Sequence, residues 1–171
     1  MKNRFLSCFI LILIGSMLYS QSESEQIEKT IDQWHLAAAE ADFETYFSKM
    51  ASESVFIGTD ATENWKLKPF KAFSKPYFDR GKAWSFKSVE RHVYLDRSKQ
   101  FGWFDELLDT RMGICRGSGV VKLENGTWKI AHYVLSATIP NDDMQKVIEL
   151  KNSTDSLYLL ELSKSRVIMK E

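Results

Sequence analysis

The chain has 171 residues, of which 44% are hydrophobic, 13% aromatic and 27% charged, with only 8 glycines and 3 prolines. This composition is that of one globular domain with a sizeable core. It excludes low-complexity disorder, a collagen-like repeat and a disulfide-stapled miniature, since the cysteines are Cys8 and Cys115 alone. With 23 basic against 23 acidic side chains there is no long-range field for a phosphate backbone, so nucleic acid is not an expected partner and function must reside in a local site.

Lys2 and Arg4 precede an apolar run from Phe5 to Tyr19, after which Gln21 to Glu25 turns polar. That is the order of a secretory signal, and the run falls short of a transmembrane span of roughly 20 residues. Cleavage is expected after Ser20, giving an exported protein, periplasmic or secreted, with no membrane contact once the signal is removed. Cys8 precedes most of the apolar run, so lipidation is not expected. Loss of Lys2 and Arg4 leaves a slightly acidic mature chain with Cys115 as its sole thiol, expected to be buried and inert.

Helical spacing of Ile27, Ile31, Trp34 and Ala38 predicts a helix over residues 22–40. Asp42 then caps a second, short helix carrying Phe43, Tyr46, Phe47 and Met50. Ser54 to Gly58 reads as a strand, and Asn64 as the cap of a third helix holding Phe70, Phe73 and Tyr77, shortened or kinked by Pro69 and Pro76. From Ala83 the period becomes two. Trp84 and Phe86, then Val89, Arg91, Val93 and Leu95, then Trp103, Asp105 and Leu107 are expected to face inward. The change of parity after Phe86 predicts a bulge near Lys87 and Ser88.

Asn125-Gly126 is a strong two-residue hairpin signal between Gly119–Glu124 and Thr127–Tyr133. Counting from that turn sets Leu123 opposite Trp128, Val121 opposite Ile130, Gly119 opposite His132 and Gly117 opposite Val134. His132 would then share the buried face beside two glycines, which leave room for a cavity. After Pro140, Asn141 is expected to cap a final helix with Asp142 and Asp143 in its first turn. The domain is expected to span residues 21–150, with a helical tail over 151–171.

Helices followed by a long antiparallel meander resemble the SnoaL-like proteins of the nuclear-transport-factor-2-like superfamily over about residues 24–148. The strings that carry the likeness are Phe56-Ile-Gly-Thr-Asp-Ala-Thr-Glu-Asn-Trp65, Trp103-Phe-Asp-Glu106, Arg116-Gly-Ser-Gly-Val120 and Trp128-Lys-Ile-Ala-His-Tyr133, with Leu135-Ser136 and Pro140-Asn141 beyond. The resemblance implies an α+β, cystatin-like fold: a cone-shaped curved antiparallel sheet packed on N-terminal helices, with a pocket at its open end and a C-terminal helix. It implies a homodimer through the outer sheet face and a range of roles from isomerases, cyclases and dehydratases to subunits that only bind or assemble. Relatives often carry a second histidine two residues after the first on the last strand, where this chain has Val134. No metal site is expected, as His35, His92 and His132 lie on separate elements. No cofactor is expected either.

Asp105, inward beside Trp103, would be a desolvated general acid or base, or else a structural partner of Arg91. His132 is either a proton shuttle or a satisfied core histidine. Glu106, of opposite parity, is expected on the surface. Asp60 lies at the pocket rim or simply closes an Asx-type turn. Tyr46, Trp65, Trp84 and Trp103 line an apolar pocket or form plain core. Two functions follow. One is an exported dimeric protein holding a small apolar or carboxylate ligand oriented by Arg91 and His132. The other is a cofactor-independent isomerase, cyclase or dehydratase using Asp105 and His132 as an acid–base pair, which must then reach a common point.

Overall fold

Ser22 begins the first helix of the computed structural model, which describes residues 22–168; the expected export signal, residues 1–20, lies outside them. Its hydroxyl accepts the Glu25 N–H while the Glu25 carboxylate accepts the Ser22 N–H, a reciprocal cap that opens α1 (Glu23–Ala39). The spacing read from sequence holds: Ile27, Ile31, Trp34 and Ala38 are buried. Asp42 caps α2 (Phe43–Ser48) by accepting the Thr45 N–H at 3.0 Å.

Strand β1 (Met50–Ile57) starts earlier than its apolar run suggests. Residues 64–66 do not open a helix as expected. They form β2 (Asn64–Lys66), antiparallel to β1 with Val55 opposite Lys66, and α3 (Leu67–Asp79) starts only after them. The later start puts Pro69 in the first turn, where a missing N–H costs no helical bond.

Four longer strands follow: β3 (Lys87–Leu95), β4 (Phe101–Thr110), β5 (Gly113–Glu124) and β6 (Thr127–Ala137). The six-stranded sheet has the order β2-β1-β6-β5-β4-β3, with β1 parallel to β6 and its other pairs antiparallel. Helices and sheet enclose a core that includes Trp34, Tyr46, Phe56, Phe70, Trp128 and Tyr133. The architecture is the expected α+β, cystatin-like one.

Three details of register decide what the sheet presents. The β3 irregularity falls between Ser88 and Glu90, so Val89 turns outward, 65% exposed, while Arg91, Val93 and Leu95 keep the inward parity. On β4 the alternation is the reverse of that expected. Phe104, Glu106 and Leu108 are buried, and Trp103 and Asp105 face out. Both parities offer an aromatic and a leucine, and the inward one is chosen by the groups it meets across the strand: Arg91 stands directly opposite Glu106.

The third detail is on β6. Asn125 and Gly126 take the positive φ values, 51° and 74°, of a tight hairpin turn, and the register runs as counted through Leu123–Trp128 and Val121–Ile130. Val120 then pairs with His132, leaving Ala131 as an extra residue. This bulge flips everything beyond it. Tyr133 and Leu135 point into the core, whereas His132 faces outward, contrary to the simple count.

At the end of the chain Asn141–Asp143 form a 3-10 turn instead of a cap. Helix α4 (Met144–Ile168) follows and runs unbroken through the expected boundary at residue 151. Tyr158 on α4 donates to the Ala61 carbonyl at 3.3 Å. Among the described residues no helix is long and apolar enough to cross a membrane.

Candidate functional site

The buried polar centre of the molecule is Glu106, 1% exposed. Its Oε1 accepts from His35 Nε2 at 2.8 Å and from the Tyr133 hydroxyl at 3.0 Å, and its Oε2 accepts from Arg91 Nε at 2.9 Å. A carboxylate can only accept, so Nε2 of His35 is the donor in this bond. Arg91 Nη2 lies 2.9 Å from the same Oε2 as an ion-pair contact outside hydrogen-bond geometry. Arg91 Nη1 donates onward to Asp32 at 2.7 Å, tying β3 to α1.

Burial pushes the Glu106 carboxyl up, but the His35 hydrogen bond and charge and the Arg91 charge outweigh it and hold the group below its usual value. Burial, reinforced by the Glu106 charge, pushes the Tyr133 phenol well above its usual value. Every oxygen of Glu106 is engaged. This cluster fastens α1 to the sheet.

A cleft of about 860 Å³ lies between α3, the loop leading into β3 and the β4–β5 turn. Its apolar walls are Phe56, Phe70, Trp84, Phe86 and Leu135, with Phe73, Tyr77 and Met112 partly exposed in its lining. Charged side chains in the lining are Glu63, Lys82, Lys87, Asp109 and Arg111. The polar cluster sits behind this lining. His35 packs edge-on against Phe86 at 5.8 Å, and Tyr133 stacks with Phe56 at 5.7 Å.

Of the residues singled out from sequence, Trp84 lines the cleft. Tyr46 is fully buried in the core, stacked on Trp34 at 5.0 Å, and burial raises its phenol well above the usual value. Trp65 lies beside the cleft, stacked on Phe73 at 5.0 Å. Asp60 closes an Asx turn, its Oδ1 accepting the Thr62 N–H at 2.8 Å, and those Thr62 bonds hold its carboxyl below the usual value.

Arg91 is inward as read, but its partner is Glu106, not Asp105. Trp103, Asp105 and His132 stand on the outer face, where Asp105 meets His92 at 3.3 Å. Asp105 and His132 are not brought together. They lie on β4 and β6 with β5 between, a lateral separation of roughly 10 Å from two strand spacings. Sequence reasoning missed Glu106 and His35. The available signals were the unpaired charge of inward Arg91, and His35 four residues after Ile31 on the buried face of α1.

The SnoaL-like domain model matches residues 27–140, two-thirds of the chain. The chain belongs to the SnoaL-like domain family. Among curated proteins none matches the sequence. The SnoaL-like fold is shared with an NTF2-like protein of unknown function from Pseudomonas putida KT2440, at 15% identity and TM-score 0.58, covering 69% of this chain and 88% of that one. A protein of unknown function with a cystatin-like fold from Nostoc punctiforme is 14% identical at TM-score 0.56, covering 67% and 90%. A candidate dehydratase of the NTF2-like family from Streptomyces avermitilis is 12% identical at TM-score 0.59, covering 69% and 97%. At these identities the likeness is one of fold.

Proposed function

We propose that this SnoaL-like protein is an exported ligand-binding protein whose site is the aromatic-walled cleft. The observation that carries the reading is the division between an open aromatic cleft and a buried polar cluster whose charges are committed to one another. The cleft falls in the size range of small-molecule sites, roughly 300–1,000 Å³, and is walled by aromatic rings, while Glu106, His35 and Arg91 satisfy one another behind it. The acid–base alternative through Asp105 and His132 loses its support, because the two face outward on strands that do not touch.

The test is native mass spectrometry of the purified protein incubated with a metabolite extract. Wild type is expected to retain a discrete mass increment. The variant Tyr77→Ala with Met112→Ala, which alters partly exposed cleft-lining side chains, should lose most of it, and Asp105→Asn with His132→Gln should keep it. The reverse pattern, or no increment in wild type, would contradict the reading.

A specific observation also favours self-association. Tyr94, Trp103, Val120, His132 and Val55 form one cross-strand row on the outer face, with Tyr94 and Trp103 stacked at 5.7 Å and 44% and 48% exposed. Phe101, also exposed, extends the patch. A second copy of the chain covers it in this reading, since an isologous contact pairs the row with itself. Light scattering after size exclusion should give a dimer mass for wild type and a monomer mass for Trp103→Glu. A wild-type monomer would remove this part of the proposal.

A further inference from the structure

The cleft has two chemically distinct sides. Toward α3 and β1 it is aromatic, with Phe56, Phe70, Phe73 and Tyr77. From the loop that leaves α3, the first residue of β3 and the β4–β5 turn it carries Lys82, Lys87 and Arg111 respectively. Among the described residues none of these three cations has a side-chain hydrogen bond, an ion pair or an aromatic face as partner, although Lys87 stands opposite Asp109 in the ladder.

The two acids of the lining are placed differently. Asp109 lies on the cationic side. Glu63 comes from the β1–β2 loop and is folded over Gly58, where an added Cβ would lie 2.0 Å from its Oε2, and the same oxygen accepts the Asp60 N–H at 3.3 Å. With Glu63 on the β1–β2 loop, Lys82, Lys87 and Arg111 face Asp109 alone, and this excess of positive charge favours an anionic end group. An exposed cation gains little from a distant anion, but several converging on one group act together and fix its orientation.

We propose that the cleft takes an anionic amphiphile, an apolar and preferably aromatic body against Phe56, Phe70, Trp84 and Phe86 with a carboxylate held by Lys82, Lys87 and Arg111. This deepens the ligand-binding reading and rests on it. It relocates the carboxylate recognition expected of Arg91, whose guanidinium is already committed to Glu106 and Asp32. The aromatic wall supplies the bulk of the affinity and the cations select the end group.

The experiment is calorimetric titration of the purified protein with three matched probes, 2-naphthylacetate, 2-naphthylacetamide and 2-naphthylethylammonium. The carboxylate should bind about tenfold more tightly than the amide, with the ammonium weakest, and raised salt should narrow the gap. In Lys82→Gln with Arg111→Gln the preference should fall to about threefold or less, with amide affinity and melting temperature unchanged. Equal binding of amide and carboxylate by wild type would overturn this inference and leave the cleft as a ligand site. Binding of none of the three would overturn both.

Discussion

Glu106→Gln is expected to cost about 3–5 kcal/mol of folding stability, because it leaves the Arg91 guanidinium buried with half of its compensation gone. The replacement also sets an amide against donors. His35 Nε2 and the Tyr133 hydroxyl share Oε1 in the native protein, and an amide nitrogen placed there accepts nothing. Asp105→Asn, one residue away and facing solvent, should stay within about 0.5 kcal/mol of wild type. Thermal unfolding separates the two, with a drop on the order of 10 °C for Glu106→Gln and almost none for Asp105→Asn.

The same pair predicts an acid limb. The Glu106 carboxyl is held below its ordinary 4.5 in the folded protein, so its contribution is fully present above that value and is lost as pH falls through the lowered folded value. Denaturant midpoints from neutral pH to about pH 3 should therefore fall below pH 4.5 in wild type and fall less steeply in Glu106→Gln.

Gly119→Ala is expected to destabilise by about 2–3 kcal/mol, since its Cβ would lie 2.6 Å from the His132 carbonyl oxygen and 2.7 Å from the Phe104 ring. Had the glycine faced an open cavity, as counting from the turn suggests, alanine would have fitted and gained about 0.4–1 kcal/mol through the unfolded state. The sign of the change thus distinguishes a filled space from an empty one. Urea titration reads it directly. Gly117 is filled in the same way, with the Tyr133 hydroxyl 2.3 Å from where a Cβ would sit.

These two sites show where the sequence is legible and where it stops being so. Local signals carry well: the Ser22 and Asp42 ends of the first two helices, the apolar stripe of α1 and the Asn125-Gly126 turn all stand where spacing and capping chemistry put them. The family resemblance, resting on strings along the strands, carries the architecture. Parity fails where it depends on one residue. The extra Ala131 on β6 exchanges His132 for Tyr133 on the inner face, and nothing in the local pattern marks it.

On β4 the two parities are equally apolar, and the choice is made across strands by Arg91, which stands opposite Glu106 and takes its carboxylate from there, not from Asp105. The cleft was legible only through Trp84. Its other walls come from α3, β1, β6, the end of the loop before β3 and the β4–β5 turn, which no sequence spacing brings together.

The most direct test of the cleft as the ligand site is amide chemical-shift mapping of the isotope-labelled protein titrated with 2-naphthylacetate. Perturbations are expected to gather at Tyr77, Trp84, Phe86 and Met112 around the cleft, with the outer-face residues Trp103, Asp105 and His132 unmoved. Shifts centred on Trp103 and His132, or none at saturating probe, would contradict it.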